Sequence, residues 1–148
     1  MEQWLLPCAY AFFASLGFGI IFQIRGGNLW LSALGGMLGW FVYLLFDGFF
    51  MDDILQYFLA AAAVSVFSEL MAIVRRAPVT VILVAAIIPL VPGGLIYQTM
   101  MSFLEGNSAA FLELGVYTFK IAGAIALGIM GTSSLIRFFR YNYPAPEQ

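Results

Sequence analysis

Few residues in this chain have side chains or backbone freedom suited to chemistry, and they cluster in three places. The first is Ile88-Pro89-Leu90-Val91-Pro92-Gly93-Gly94-Leu95-Ile96-Tyr97-Gln98, inside an apolar run from Pro78 to Leu104. Pro89 and Pro92 each remove a backbone donor and clash with the preceding turn, so a regular helix cannot pass through them. Gly93 and Gly94 tolerate backbone angles that other residues resist. The flanks, Val79 to Ile88 and Leu95 to Leu104, are apolar enough for lipid. The pattern predicts two half-helices meeting near the bilayer midplane, interrupted between Ile88 and Gly94. Irregular backbone at that depth must be buried in protein or line a wet cavity, and in transporters such breaks form substrate and ion sites. The alternative is a proline-kinked packing helix, because proline and glycine are common in membrane helices. Pro92 fits the first position of the second half-helix. The N-terminus there leaves backbone donors open for an anionic group such as a substrate carboxylate, with Tyr97 and Gln98 in the first turns beside it.

The second candidate is Glu69, which shares a helical face with Ala62, Ser65 and Arg76 and lies about 9 Å along the helix from Arg75. A carboxylate at that depth is costly unless paired, protonated or hydrated. Two readings follow: Glu69 carries a coupling proton, or it pairs with Arg76 and anchors the helix end. The third is Lys120, about 16 Å along its helix from Ala109, on a stripe with Glu113, Tyr117, Ala124 and Gly131. Phe119, Ile121, Ile125 and Ile129 lie largely on other sides. The polar stripe is expected to face protein or water, where Lys120 counters a buried charge. A lysine that snorkels to the interface is the other reading.

These residues must be held by membrane helices. The chain has 148 residues, 63% hydrophobic and 9% charged, with mean hydropathy +0.97. A soluble domain carries about 25% charged residues, so the composition describes an all-α, polytopic integral membrane protein. It leaves no room for a soluble domain, and residues 1–148 read as one transmembrane domain. About 20 apolar residues cross the hydrocarbon core. Five segments qualify: 3–23, 29–46, 53–74, 79–104 and 109–138, the fourth broken at Pro89–Gly94. The first begins with Glu2 rather than a basic region and shows no clear cleavage site before Arg25, so it does not read as a secretory signal.

Histidine is absent and Cys8 is the single cysteine. This excludes an intrachain disulfide and a Cys/His metal site, and no cofactor is expected. There is no basic patch for nucleic acid, no nucleotide loop and no pair of carboxylates within one span, so enzymatic acid–base chemistry has few players.

Arg25, Arg75, Arg76, Arg137 and Arg140 fall in the first and third loops and the tail, whereas Glu2, Asp47, Asp52, Asp53 and Glu105 occupy the other side. The positive-inside rule then places the N-terminus outside and Gln148 in the cytoplasm. Ala11, Ser15 and Gly19 form a small-residue stripe on the first span. Ser32, Gly35, Gly36 and Gly39 do so on the second, where Gly35 and Gly39 make a Gly-x-x-x-Gly pair for close helix packing. Pro7 is placed in the first turn of its helix. Trp4, Trp30, Tyr43, Tyr141 and Tyr143 are expected at the membrane interfaces. The phenylalanines are mostly lipid-facing or core. No period of 20 to 50 residues repeats.

Three stretches resemble the threonine/serine exporter family, specifically its small membrane subunit lacking a cytoplasmic domain. They are Phe18-Gly19 to Phe22 before a short basic loop, Gly35-Gly36 with Gly39-Trp40, and above all Ser68-Glu69-Leu70 with Arg76-Ala77-Pro78 leading to Ile88-Pro89-Leu90-Val91-Pro92-Gly93-Gly94 and Tyr97. The resemblance covers nearly the whole chain and is related to the succinate/dicarboxylate exporter branch. It implies a secondary exporter of small amino acids or dicarboxylates in a bacterial inner membrane. Such proteins are a fused chain of about ten spans or two subunits, so a larger partner subunit is implied. The proline-glycine block, Glu69 and Tyr97 match the family pattern. A non-transporting subunit that stabilises a larger partner is the reading from a different class.

Overall fold

A computed structural model describes residues 2–47 and 52–142. Tyr143 and Gln148 lie outside the described residues, as does the side chain of Tyr141. Six α-helices follow in order: α1 (Glu2–Ile21), α2 (Gly27–Phe46), α3 (Asp53–Arg75), α4 (Val79–Ile87), α5 (Gly93–Leu104) and α6 (Ser108–Asn142), with a 3-10 turn over Ile88–Leu90 between α4 and α5. The five expected segments are therefore present, with ends shifted by a few residues. Pro7 sits in the second turn of α1, which starts at Glu2.

Local chemistry explains the ends. Asp52 caps α3, its carboxylate accepting from the Ile54 N–H at 3.1 Å, and Asp53 adds a negative charge to the first turn, where the helix dipole favours it. The far end of α3 closes with Arg76 in the left-handed region (φ 50°), and the Ala77 N–H reaches back to the Ala72 carbonyl at 3.1 Å. Pro78 then forbids continuation. Asn107 caps α6 by accepting from the Ala110 N–H at 3.2 Å, after a turn that needs positive φ at Gly106.

Close contacts fix how the helices run. The α1 and α2 helices form an antiparallel hairpin in which a Cβ at Gly36 would collide with the Ser15 hydroxyl. Against α3, α2 is again antiparallel: Gly39 meets Val64 near the middle, Tyr43 meets Tyr57 in a tilted ring contact at 4.8 Å between centroids, and Gly27 abuts the Arg75 guanidinium. By contrast α6 lies parallel to α3. The Tyr117 hydroxyl donates to Asp53 Oδ2 at 2.7 Å near one end, Gly128 would place a Cβ 2.7 Å from the Phe58 carbonyl oxygen, and Ser65 pairs with Ser133 further along. Because α3 and α6 run the same way, the chain between them must cross once. The bent pair α4–α5, with 55° between its axes, is therefore one broken crossing rather than a re-entrant loop. Five crossings result. Residues 22–26 and 76–78 share one face, called here the basic face, and Asp47, Asp52 and 105–107 share the opposite, acidic face.

The core is assembled from small residues. Ala11, Ser15 and Gly19 of α1 and Ser32, Gly35, Gly36 and Gly39 of α2 are all buried. A Cβ at Gly35 would lie 2.9 Å from that of Ala86. In lipid there is no apolar transfer to drive association, so such close van der Waals approach is what holds helices together. The central cluster is Ala60, Ala61 and Val64 of α3, Ala86 and Leu90 of the fourth span, and Ile121 and Ile125 of α6.

Tyr43, near the acidic-face end of α2, is half-buried between Trp40 and Tyr57, because α3 supplies an aromatic face opposite it. Of the polar stripe of α6, Ala124 is buried, and Glu113, Lys120 and Gly131 are exposed on the surface of the bundle. Ile121 and Ile125 take the core positions, since they fill the space left by the alanines of α3.

Candidate functional site

The broken fourth span carries the candidate site. Its first half, α4, rises about 14 Å from the basic face at 1.5 Å per residue, so the break falls near the middle of a hydrocarbon core of about 30 Å. Helical bonding is interrupted from Ile88 to Pro92, within the expected window. The Val91 N–H bonds the Ile88 carbonyl at 3.0 Å, and the Gly93 N–H bonds the Val91 carbonyl at 2.7 Å. Leu90 and Pro92 are buried, Pro89 is half-buried, and Val91, Gly93 and Gly94 are exposed. The break thus faces protein on one side only. Pro92 is the residue before the first helical position of α5, with φ −76° and ψ 58°, one residue earlier than its expected place. Gly93 is the first helical residue, and neither glycine there needs positive φ. Their lack of a side chain matters differently: nothing in the chain lies within 4 Å of a Cβ at either. The N-terminus of α5 is sterically open.

Beyond the break, α5 rests on α6 and buries none of its residues. Tyr97 is 65% exposed, and Gln98 is also on the surface. The two lie on the outside of α5 next to the open glycines. An apolar groove of about 330 Å³ separates α5 from α6, lined by Ile96, Thr99 and Met100 on one wall and Gly115, Thr118, Phe119 and Ala122 on the other. Lys120 is on a different face of α6, on an open surface strip with Glu113 and Tyr117. The fold therefore gathers Pro89, Pro92, Gly93, Gly94, Tyr97 and Gln98 at one break but does not bring Lys120 among them. Tyr117 links the Lys120 surface to the start of α3 through Asp53.

Glu69 is in the half of the bundle nearest the basic face. It is 5% exposed, and among the described residues none hydrogen-bonds or ion-pairs with its carboxylate. The pair with Arg76 does not form: Arg76 closes the helix in the left-handed region and is exposed. The neighbouring arginine, Arg75, donates instead to Asn28 Oδ1 at 3.3 Å. Hydroxyls surround the level of Glu69. Ser65 is within 3.5 Å of the Ile129 carbonyl and 3.4 Å of Ser133 Oγ, and Ser68 Oγ is buried without a partner. A charged group at this depth is costly unless it is paired or hydrated. Among the described residues no group of three or more His, Cys, Asp or Glu could hold a metal ion.

Sequence reasoning passed over the cluster at the acidic face, where Asp53, Tyr117, Tyr57, Tyr43 and Trp40 adjoin. Asp53 and Tyr117 are 64 residues apart, so no local signal joined them. Trp40 also has its indole nitrogen buried and unpartnered, beside a cavity of about 270 Å³ formed with Pro7, Tyr10, Ala11, Ala14 and Pro89. Its place next to the break was legible only as part of a family motif.

No curated protein and no solved structure matches this chain. A family of membrane transporters does: the sequence profile described as Threonine/Serine exporter, ThrE matches residues 7–135, a stretch from α1 through most of α6 that includes Glu69, the whole break and Lys120. With that match over most of its length, this multi-pass membrane protein belongs to the threonine/serine exporter family.

Proposed function

We propose that the chain is the small membrane subunit of a proton-coupled secondary exporter for small amino acids of the threonine/serine type, or for dicarboxylates, and that it acts with a larger subunit of the same family. The observation that carries this reading is the broken fourth span, whose second half begins at midplane depth with Gly93 and Gly94 open to their surroundings. With the Gly93 N–H held by the Val91 carbonyl, the N–H groups of Gly94 and Leu95 and the positive dipole end there suit a substrate carboxylate. Tyr97 and Gln98 supply polar contacts one turn further on, Lys120 counters negative charge, and Glu69 carries the coupling proton. The reading includes a bacterial inner membrane, as the family implies, with the N-terminus outside and the C-terminus cytoplasmic, an orientation supported by the basic residues gathered on one face.

A partner follows from what the surface displays. Gln98, Tyr97, Lys120 and the break are poor lipid contacts, costing several kcal/mol per unsatisfied group. An odd number of crossings with a partner of opposite orientation makes an inverted repeat with its site between the halves. The second reading, a non-transporting subunit, is favoured by the same exposure, since α5 would then serve as a docking face. Counterflow of labelled threonine and of labelled succinate into proteoliposomes holding both subunits separates the two. Transport lost in Gly94→Leu with the complex intact supports a substrate site. Unchanged transport with a weakened complex supports the docking role.

A further inference from the structure

We infer that Glu69 exchanges protons only with the basic face in this conformation, because an apolar plug seals it from the acidic face. Along α3 from Asp53, the polar cluster of Asp53, Tyr57 and Tyr117 ends about 6 Å in, at Tyr57. Ala60, Ala61 and Val64 follow, each 0% exposed. They are closed over by Leu90 and Ala86 from the fourth span and by Ile121 and Ile125 from α6. Gly128 brings α6 against the α3 backbone at Phe58 and Ala62, and this leaves no room for a file of water. Past the plug the seam changes character. Ser65, Ser68 and Glu69 face inward, Ser133 joins them from α6, and Ser68 has a hydroxyl with no partner.

From Glu69 toward the basic face the buried Ala72, with Ile82 of α4 also buried, is the one layer before the exposed Arg76, about 10 Å along the helix against about 24 Å back to Asp53. The helices packed on α3 add no competing charge at this level. There is none anywhere in α2 or α4, and on α6 the next after Lys120 among residues with described side chains is Arg137, exposed toward the basic end. Water reaching the carboxylate past Ala72 accepts its proton, leaving a carboxylate and a hydronium, and the reverse step reloads it. No route of comparable polarity crosses Ala60–Val64. Alternating access then requires this plug to part, which gives the small residues at positions 60, 61, 64 and 128 a role beyond packing.

The inference rests on Glu69 as the coupling residue, but its test reads access and not transport. In a Cys8→Ser background, Glu69→Cys and Ala61→Cys are made in the full chain, co-expressed with its partner. Each is treated with a small membrane-impermeant methanethiosulfonate in right-side-out and inverted vesicles. Cys at 69 should react faster from the basic face, by about ten-fold or more, and Cys at 61 should be protected from both. Equal rates from both faces, faster reaction from the acidic face, or protection of position 69 on both faces would overturn it. Should Glu69→Cys fail to assemble, infrared spectroscopy of the wild-type chain replaces it. The protonated-carboxyl band absent in Glu69→Gln should follow a pH step on the basic side and ignore one on the acidic side. A band that follows the acidic side instead refutes the plug. Failed counterflow with one-sided labelling would sink the exporter reading and leave the seal standing.

Discussion

The Tyr117 hydroxyl donates to the Asp53 carboxylate across 64 positions of sequence, at 2.7 Å. This bond ties the first third of α6 to the first turn of α3 at the same end of the bundle. It is one of the contacts that make the two helices parallel and so turn the bent pair between them into a single crossing. Hydrogen bonds to charged groups contribute roughly 1.5–3 kcal/mol when buried, less near the surface. Because this pair is exposed, Tyr117→Phe is expected to lower unfolding stability in detergent by about 1 kcal/mol, and a chemical denaturation midpoint checks it.

Labelling of single cysteines at Asp52 and Arg76, in a Cys8→Ser background, tests the number of crossings. The parallel α3–α6 pair places these two positions on opposite faces. An impermeant thiol reagent applied to intact cells should modify Asp52→Cys and spare Arg76→Cys. Modification of both from one side would mean that α3 does not cross.

Glycines at two places should respond oppositely to a large side chain. Gly39 faces Val64 and Leu90 at close range, so Gly39→Leu is overpacked and costs about 1–3 kcal/mol. Gly93 and Gly94 meet nothing within 4 Å, so Gly93→Leu or Gly94→Leu should fold as stably as the parent while losing counterflow in the complex. Thermal unfolding alongside transport separates these outcomes. Normal transport by Gly94→Leu would remove the break from the substrate path.

Glu69→Gln mimics the protonated acid. Its carboxylate has no partner to lose, so the variant should be no less stable than the parent. Exchange should continue while the pH dependence of net transport disappears. A fall in stability with intact pH dependence would return Glu69 to a purely structural role.

Lys120 is exposed on the surface of α6 beside Glu113 and Tyr117, so Lys120→Met should leave folding unchanged. Weaker binding of an anionic substrate to the complex, read as a raised KM in counterflow, is expected if the partner covers this surface and encloses it in the pathway. An unaltered KM would mark Lys120 as a snorkelling residue.

The sequence by itself determined the class, the five crossings and the position of the break. Each depends on local covalent facts: runs of apolar residues long enough for a bilayer, arginines gathered in alternate connections, and two prolines that cannot donate. It also gave the small-residue faces of α1 and α2, since spacing by four aligns side chains whatever lies opposite. Only the tertiary structure decided what those faces meet. Whether Glu69 pairs with Arg76 depends on where a left-handed helix end sends the arginine, and that follows from the turn into Pro78. Which stripe of α6 turns inward was settled by volume: the alanines of α3 leave space that Ile121 and Ile125 fill, and Lys120 and Glu113 are left outside. The openness of Gly93 and Gly94 was equally hidden, because the 55° bend that lifts α5 away from α1–α4 is a relation between helices. So was the bond from Tyr117 to Asp53, which no local pattern encodes.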